Sequence, residues 1–352
     1  MLPDLRACAP NLDYWYCVAL GTELTAGRPL AASIWGQSIV LFRDPQGQVQ
    51  ALEDRCPHRQ VRLSAGQVIE GNLECAYHGW LFDSQGDCLQ IPYLGKGQKI
   101  PPCRVRAYPV REQDGFIWLY PGDLEVLAQT GREPLGVPEW DHLNYIGSCA
   151  PFSCPGHFSF LIENLMDMHH GHLHDQYQAW AGAKLEKIAS ADEEVTAYYQ
   201  AQSYYKIDKI WSISQLFFPA LRRLRPELLT VSYAYPHWRA TLGADFKIYC
   251  LFCPVSPTET KAYLVHFTSL EAFPKLHQSP LPIRRFLKTK LSGTARPLLN
   301  HLIRQDVAMI AQEQEAFLTD PQRRSYEVNP AIAQTQKLIR RLAPLCPPLT
   351  KN

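Results

Sequence analysis

The 352-residue sequence is marked first by what it does not contain. Nowhere do about 18 apolar residues run together, so no membrane-spanning helix is expected. The densest apolar stretch, IYCLFCPV at 248–255, has only the length of a strand. Charge of one sign is not in excess: 35 basic against 34 acidic residues leave a formal +1. That balance excludes the basic field of a nucleic-acid-binding surface and any charged tail. The N-terminus MLPDLRACAPNLDYWYC has no basic stretch leading into an apolar one, so no signal peptide is expected. A soluble cytoplasmic or stromal-type protein is the reading these absences leave. No GxGxxG occurs, so no dinucleotide site is expected, and internal repeats and low-complexity runs are missing. Cysteine is present but irregular, with 11 residues at odd spacing. A secreted disulfide scaffold is shorter and more regular, so a reducing compartment with mostly buried thiols is expected. Cys250 and Cys253 form a CxxC inside an apolar strand-like run. A redox pair belongs at a helix N-terminus, so a structural role is expected.

The length suffices for two domains with separate cores. From about Tyr14 to Tyr120, short β-type runs such as SIVLFRDPQGQVQAL (38–52) alternate with Gly, Asp and Pro turn signals. GREPLGVPEW (131–140) reads as connector. The second half mixes a helix at FSFLIENLMDMHHGHLHDQ (158–176), strands at EVTAYYQAQSYYKI, LLTVSYAYPHWRATLGA, FKIYCLFCPV and KAYLVHFTSL, and a long helix over 297–318 opened by Pro297. Segregated helices and antiparallel strands give an α+β chain. The expected division is an all-β domain at 10–122, a connector at 123–150 and a second domain at 151–352.

Two clusters of metal-ligating residues stand out. Cys56-Pro-His58 is followed by 16 residues and then Cys75-Ala-Tyr-His78. Structural zinc pairs like with like, as Cys-x-x-Cys and then two histidines. Mixed pairs on two loops allow two thiolates on one iron and two imidazoles on the other, as a Rieske [2Fe–2S] centre demands. The second cluster lies in ENLMDMHHGHLHDQ at 163–176. His170 and His174, four apart, share one face of a helix, and Asp167 precedes His170 by three. The long C-terminal helix has an apolar face of Leu299, Leu302, Ile303, Ile310 and Phe317 on which Asp306 also falls. A buried lone carboxylate is unfavourable by several kcal/mol, which a metal relieves; a salt bridge to Arg304 or a lysine is the alternative. Two histidines and a carboxylate make the facial triad of non-haem Fe(II) enzymes.

The motifs CPHR, LSAG (63–66), CAYHGW, GDCLQIP (86–92), NLMDMHHGHLH and QDVAMIAQEQ resemble the ring-hydroxylating Rieske oxygenase α-subunits, most closely the branch of pheophorbide oxygenases and dicamba-type demethylases. Gln60 stands where that family often has glycine. The resemblance implies an N-terminal Rieske domain and a helix-grip catalytic domain. It implies a [2Fe–2S] cluster on Cys56, His58, Cys75 and His78, and mononuclear Fe(II) on His170, His174 and Asp306, with O2 as co-substrate. Asn164 becomes a polar group near the iron, and Asp167 a bridge from an iron-ligand histidine to the Rieske His78 of a neighbouring subunit in a homotrimer. Many members have four residues between the two histidines, a spacing that His169 and His174 satisfy, so His169 and His170 both stand as candidates. His172 fits a solvated or a pocket role. Without a dinucleotide motif, electrons must come from an external ferredoxin or reductase. Tyr198, Tyr199, Tyr204, Tyr205, Trp211, Phe217 and Phe218 are expected around an apolar pocket for a hydrophobic or aromatic small molecule. By analogy with the branch, hydroxylation or demethylation is expected over dihydroxylation. The alternative is a Rieske electron carrier with a non-catalytic ligand-binding domain, and Asp306 on its apolar stripe speaks against it.

Overall fold

A computed structural model describes residues 4–95, 97–174, 180–203, 225–273, 275–323 and 325–344. The chain divides into two compact units, one of Asn11–Val137 and one joining Met1–Pro10 to Pro138–Asn352. Together they form an α+β fold of antiparallel sheets.

Among its described residues the Asn11–Val137 unit holds ten short strands: β1 (Tyr16–Leu20), β2 (Leu30–Ile34), β3 (Gln37–Arg43), β4 (Val49–Glu53), β5 (Gln67–Ile69), β6 (Asn72–Glu74), β7 (Leu81–Phe82), β8 (Cys88–Gln90), β9 (Val110–Gln113) and β10 (Phe116–Leu119). They make three antiparallel sheets, ordered β1-β10-β9, β2-β3-β4 and β5-β6-β7-β8. The turn chemistry follows the sequence. Asp44 accepts from the backbone N–H of Gln46 and Gln48, and Gly47 takes a positive φ of 78° to close the β3–β4 hairpin. Asp83 does the same for Gln85 and Asp87, with Gly86 at φ 81°. Val40, Phe42, Leu52, Leu63, Leu73, Trp80, Phe82, Ile91 and Val105 form a core that also encloses Cys56 and Cys75.

Gly86 is required twice over. Its φ lies in the left-handed region, and a Cβ there would stand 2.0 Å from the Val105 carbonyl oxygen. Gly86→Ala is expected to destabilise this unit by roughly 2–4 kcal/mol, combining backbone strain with overpacking. A urea midpoint equal to that of the parent would show that the backbone yields there freely.

The second unit is built on one seven-stranded antiparallel sheet of β11 (Tyr145–Cys154), β12 (Trp180–Ser190), β13 (Glu194–Ser203), β14 (Arg225–Ala234), β15 (His237–Leu242), β16 (Phe246–Ser256) and β17 (Glu259–Ser269). Its order is β11-β17-β16-β15-β14-β13-β12: a meander from β12 to β17, with β11 added beside β17. The Leu281–Leu291 and Arg296–Thr319 helices pack on β11, and the Pro330–Leu342 helix packs on β13 and on the Phe158–Met166 helix. Leu299 and Ile303 bury against Ala150, with Phe152, Leu264 and Val307 at the margin. Cys250 and Cys253 lie on β16, and both are buried. Among the described residues no helix is long and apolar enough to cross a membrane.

Four local expectations change. The single helix over 158–176 ends at Met166, and a separate 3-10 turn runs from His170 to His174. The cause is Asp167, which leaves the helix at φ −90°, ψ 115° and accepts from His169 N–H at 2.9 Å. Aspartate favours such a turn over continued helix. The stretch LLTVSYAYPHWRATLGA is two strands, β14 and β15, not one. β12 was not anticipated, and β11 begins at Tyr145, inside the expected connector.

Candidate active site

In the Asn11–Val137 unit, the two Cys-His loops are built alike. Cys56 N–H donates to Val61 O and Gln60 N–H to Cys56 O; Cys75 N–H donates to Trp80 O and Gly79 N–H to Cys75 O. Gln60 and Gly79 occupy equivalent positions, with φ of 63° and 68°. The glycine expected at residue 60 is thus replaced without changing the turn, and the Gln60 side chain donates to Pro57 O at 3.3 Å. The loops bring like to like. Cys56 and Cys75 lie in one core, near enough for Cys75 to raise the Cys56 thiol. The imidazoles of His58 and His78 lie 4.5 Å apart, centroid to centroid. Trp80 stacks on His58 at 4.9 Å and donates its Nε1–H to the Tyr93 hydroxyl. His58 Nδ1 is buried with no hydrogen-bond partner. Burial, and then Cys75 beside it, pushes the Cys56 thiol up to about 11. Two neighbouring thiols and two neighbouring imidazoles, with an orphaned ring nitrogen, fit a cluster with a sulfur-bound and a nitrogen-bound iron.

The second constellation lies wholly in the other unit. His170, His174 and Asp306 bring one ligand atom each within 4.8 Å of one another. His174 Nε2 is 3.3 Å and His170 Nε2 3.6 Å from the same oxygen, Asp306 Oδ1. Asn164 Nδ2 donates to that oxygen at 3.4 Å. His174 Nδ1 donates to Gln305 Oε1 at 2.9 Å, which holds a proton on Nδ1 and leaves Nε2 as the nitrogen that faces Asp306. Burial lowers His174, but hydrogen bonds to Asp306 and Gln305 outweigh it and hold the imidazole above its ordinary value. For His170 burial prevails over Asp306, and the value is lowered. Its Nδ1 is buried without a hydrogen-bond partner, 4.0 Å from Asp167 Oδ2. Two imidazoles and a carboxylate turned on one point are a donor set that ferrous iron accepts.

Asp167 itself accepts from Asn329 Nδ2 at 3.1 Å, and does not hydrogen-bond His170. His169 and His172 are exposed and stand outside the cluster. Gln305 and Asn329 were missed in the sequence; the only signal for Gln305 was its position next to Asp306. Of the aromatic residues expected around a pocket, Tyr204, Tyr205, Trp211, Phe217 and Phe218 lie outside the described residues, and Tyr199 is fully buried.

Beside the three residues lies a cavity of about 400 Å³. Its walls are mainly apolar: Leu229, Trp238, Leu242, Phe246, Ile248 and Leu299 are typical. The polar exceptions include Ser148, Thr241, His266, Thr268 and Thr294. Burial pushes His266 down to about 4, so it is a neutral imidazole at ordinary pH. Among the described lining residues there is no lysine or arginine.

The helix that carries Asn164 is started by a buried histidine. His157 Nε2 donates to Cys8 O at 2.9 Å, and its Nδ1 accepts from Ser159. Burial lowers its value from 6.5 to about 4. The unfolded chain therefore takes up the proton first as pH falls. Stability is fully present above about 6.5 and is lost toward 4, by roughly 3 kcal/mol in all. His157→Gln is expected to flatten this part of the stability–pH curve, and an unchanged slope in denaturation titrations would contradict it.

Comparison with known proteins identifies the first domain and the family. Residues 14–109 match the family model of the Rieske [2Fe-2S] domain. The 4beta-methylsterol monooxygenase of Methylococcus capsulatus is 32% identical over 342 residues, covering 95% of this chain and 89% of the relative. The oxygenase component of dicamba O-demethylase from Stenotrophomonas maltophilia is 37% identical over 182 residues, 51% of each chain. The crystal structure of dicamba monooxygenase bound to dicamba superposes with a TM-score of 0.72 at 22% identity, over 95% of this chain and 98% of that one, a likeness of fold. The chain belongs to the Rieske non-haem iron oxygenases. Its matched domain implies a [2Fe–2S] cluster, and its relatives are oxidoreductases.

Proposed function

We propose that the chain is a terminal oxygenase component that inserts one oxygen atom into a neutral, largely apolar ring compound, by hydroxylation or demethylation. Cys56, Cys75, His58 and His78 would hold the Rieske cluster, and His170, His174 and Asp306 the mononuclear iron. Bound there, these groups supply single electrons and an Fe(II) with open positions for O2 and substrate.

The residues around them do the positioning. Gln305 holds the proton on His174 Nδ1, so Nε2 stays a donor. Asn164 donates to the Asp306 carboxylate and keeps its oxygen turned toward both imidazoles. The apolar wall excludes water and orients a ring by shape, while the neutral His266 and the hydroxyls of Ser148, Thr241, Thr268 and Thr294 offer hydrogen bonds to an uncharged polar group. A carboxylate substrate would meet no cation among the described lining residues, which favours neutral rings over aromatic acids. Monooxygenation is supported by the monooxygenase that matches nearly the full length. External ferredoxin or reductase would supply electrons, and Asp167 would serve transfer between subunits of a homotrimer.

The observation that carries this reading is the convergence of both Nε2 atoms on Asp306 at the wall of an apolar cavity. The reconstituted protein is expected to hold about three irons per chain. With a ferredoxin, a reductase and labelled O2, it is expected to place one labelled atom in a neutral methylated sterol-type ring. Two irons and no labelled product across neutral ring compounds would leave only an electron carrier.

A further inference from the structure

An isolated antiparallel bridge joins Asp87 to Arg104. Val105 N–H donates to Gly86 O at 2.9 Å, and Arg104 Nε lies 3.2 Å from Asp87 Oδ1, so the register is fixed by backbone and side chains together. Carried one residue further, that register would set Cys88 opposite Cys103. Opposed residues of an antiparallel pair have Cα atoms about 4.5–5.5 Å apart, inside the roughly 4.4–6.8 Å that a disulfide spans. Both side chains pack against the same core, and Cys103 is near enough to raise the Cys88 thiol. Both are free, half-buried thiols at the margin of the core that encloses Cys56 and Cys75. Neither belongs to the metal-binding motifs.

The segment between them has a definite task. It carries Tyr93, whose hydroxyl accepts from Trp80 Nε1 at 2.9 Å. The Tyr93 ring stands 6.3 Å from His58 and 6.4 Å from His78. Whatever fixes the ends of this segment also fixes the aromatic cover of the two histidines.

We propose that Cys88 and Cys103 are a reversible thiol–disulfide pair that ties the 88–103 segment down over the histidine side of the cluster site. The oxidant class is a peroxide. The two thiols give up two protons and two electrons, the S–S bond forms, the O–O bond of hydrogen peroxide breaks and two waters leave. A dithiol reductant reverses the step by thiol–disulfide exchange. Closing the loop removes freedom from the segment it encloses.

The test uses the cluster-loaded protein, treated with hydrogen peroxide, alkylated, digested and analysed by mass spectrometry. Peptides carrying Cys88 and Cys103 are expected to be joined, with both thiols recovered after dithiothreitol and the cluster absorbance retained. Amide hydrogen exchange across 89–102 is expected to slow about tenfold on oxidation, and not at all in Cys88→Ala or Cys103→Ala. The proposal is overturned if both thiols stay alkylatable with the cluster intact, if they pair with other cysteines, or if the bond forms while exchange is unchanged. None of these readouts depends on the mononuclear iron or on turnover, so this proposal and the oxygenase reading fail separately.

Discussion

Asp306→Ala is expected to abolish oxygenation, with at least a ~1,000-fold fall in turnover, while the visible absorbance of the cluster stays as in the parent. The change removes the one charged donor of the set and leaves His170 and His174 facing an empty space. Two neutral imidazoles on a short turn hold ferrous iron far more weakly than two imidazoles and a carboxylate. Iron content should fall from about three to about two per chain. Gln305→Ala separates ligand loss from positioning. It leaves all three donors but frees the His174 tautomer, and losing such a partner typically weakens metal binding by about 10–100-fold. Turnover near the parent level in the Asp306 variant, at equal iron content, would remove the facial triad from the reading.

Cys75→Ser acts at the other site and in the other unit. Cys75 is buried in the N-terminal core, and its loop is closed by its own N–H and carbonyl. A serine there keeps the volume but supplies no thiolate, and the sulfur-bound iron loses one of its two protein donors. The expected result is loss of both cluster irons, of the visible absorbance and of all donor-driven turnover. The Asn11–Val137 unit should also melt earlier, because its core is arranged around the bound group. Mononuclear iron should still bind, at about one per chain. A variant that kept its cluster spectrum would exclude Cys75 as a ligand.

The two metal motifs were legible because each is local. CPH and CAYH encode their loops within six residues, and the hydrogen bonds that close those loops run from residue i to i+4 and i+5 of the same stretch. Asp306 was legible through a conflict, an acid on a stripe whose other members are apolar. What stayed hidden depends on distant partners. The break at Asp167 is secured in part by Asn329, 162 residues away, and the orientation of His174 by Gln305, 131 residues away. Helical periodicity across 158–176 continues through the break, so the pattern alone overran it. The choice between His169 and His170 was equally tertiary, since only the chain's turn after Met166 shows which ring meets Asp306. β12 reads as a mixed, half-exposed run, and its pairing with β13 gives it its identity.

Gln305 and Asp306 are adjacent side chains of one helix, yet they grip opposite edges of a single imidazole. A helix advances about 100° per residue. Deleting or inserting one residue between Leu299, which anchors the helix in the core, and Gln305 would swing both groups off the ring in the same event. The spacing of that span is therefore set by geometry, whereas the outer faces of the helix are free to diverge. Such a centre can vanish in one frame-preserving indel, but it cannot erode by gradual drift in helical phase.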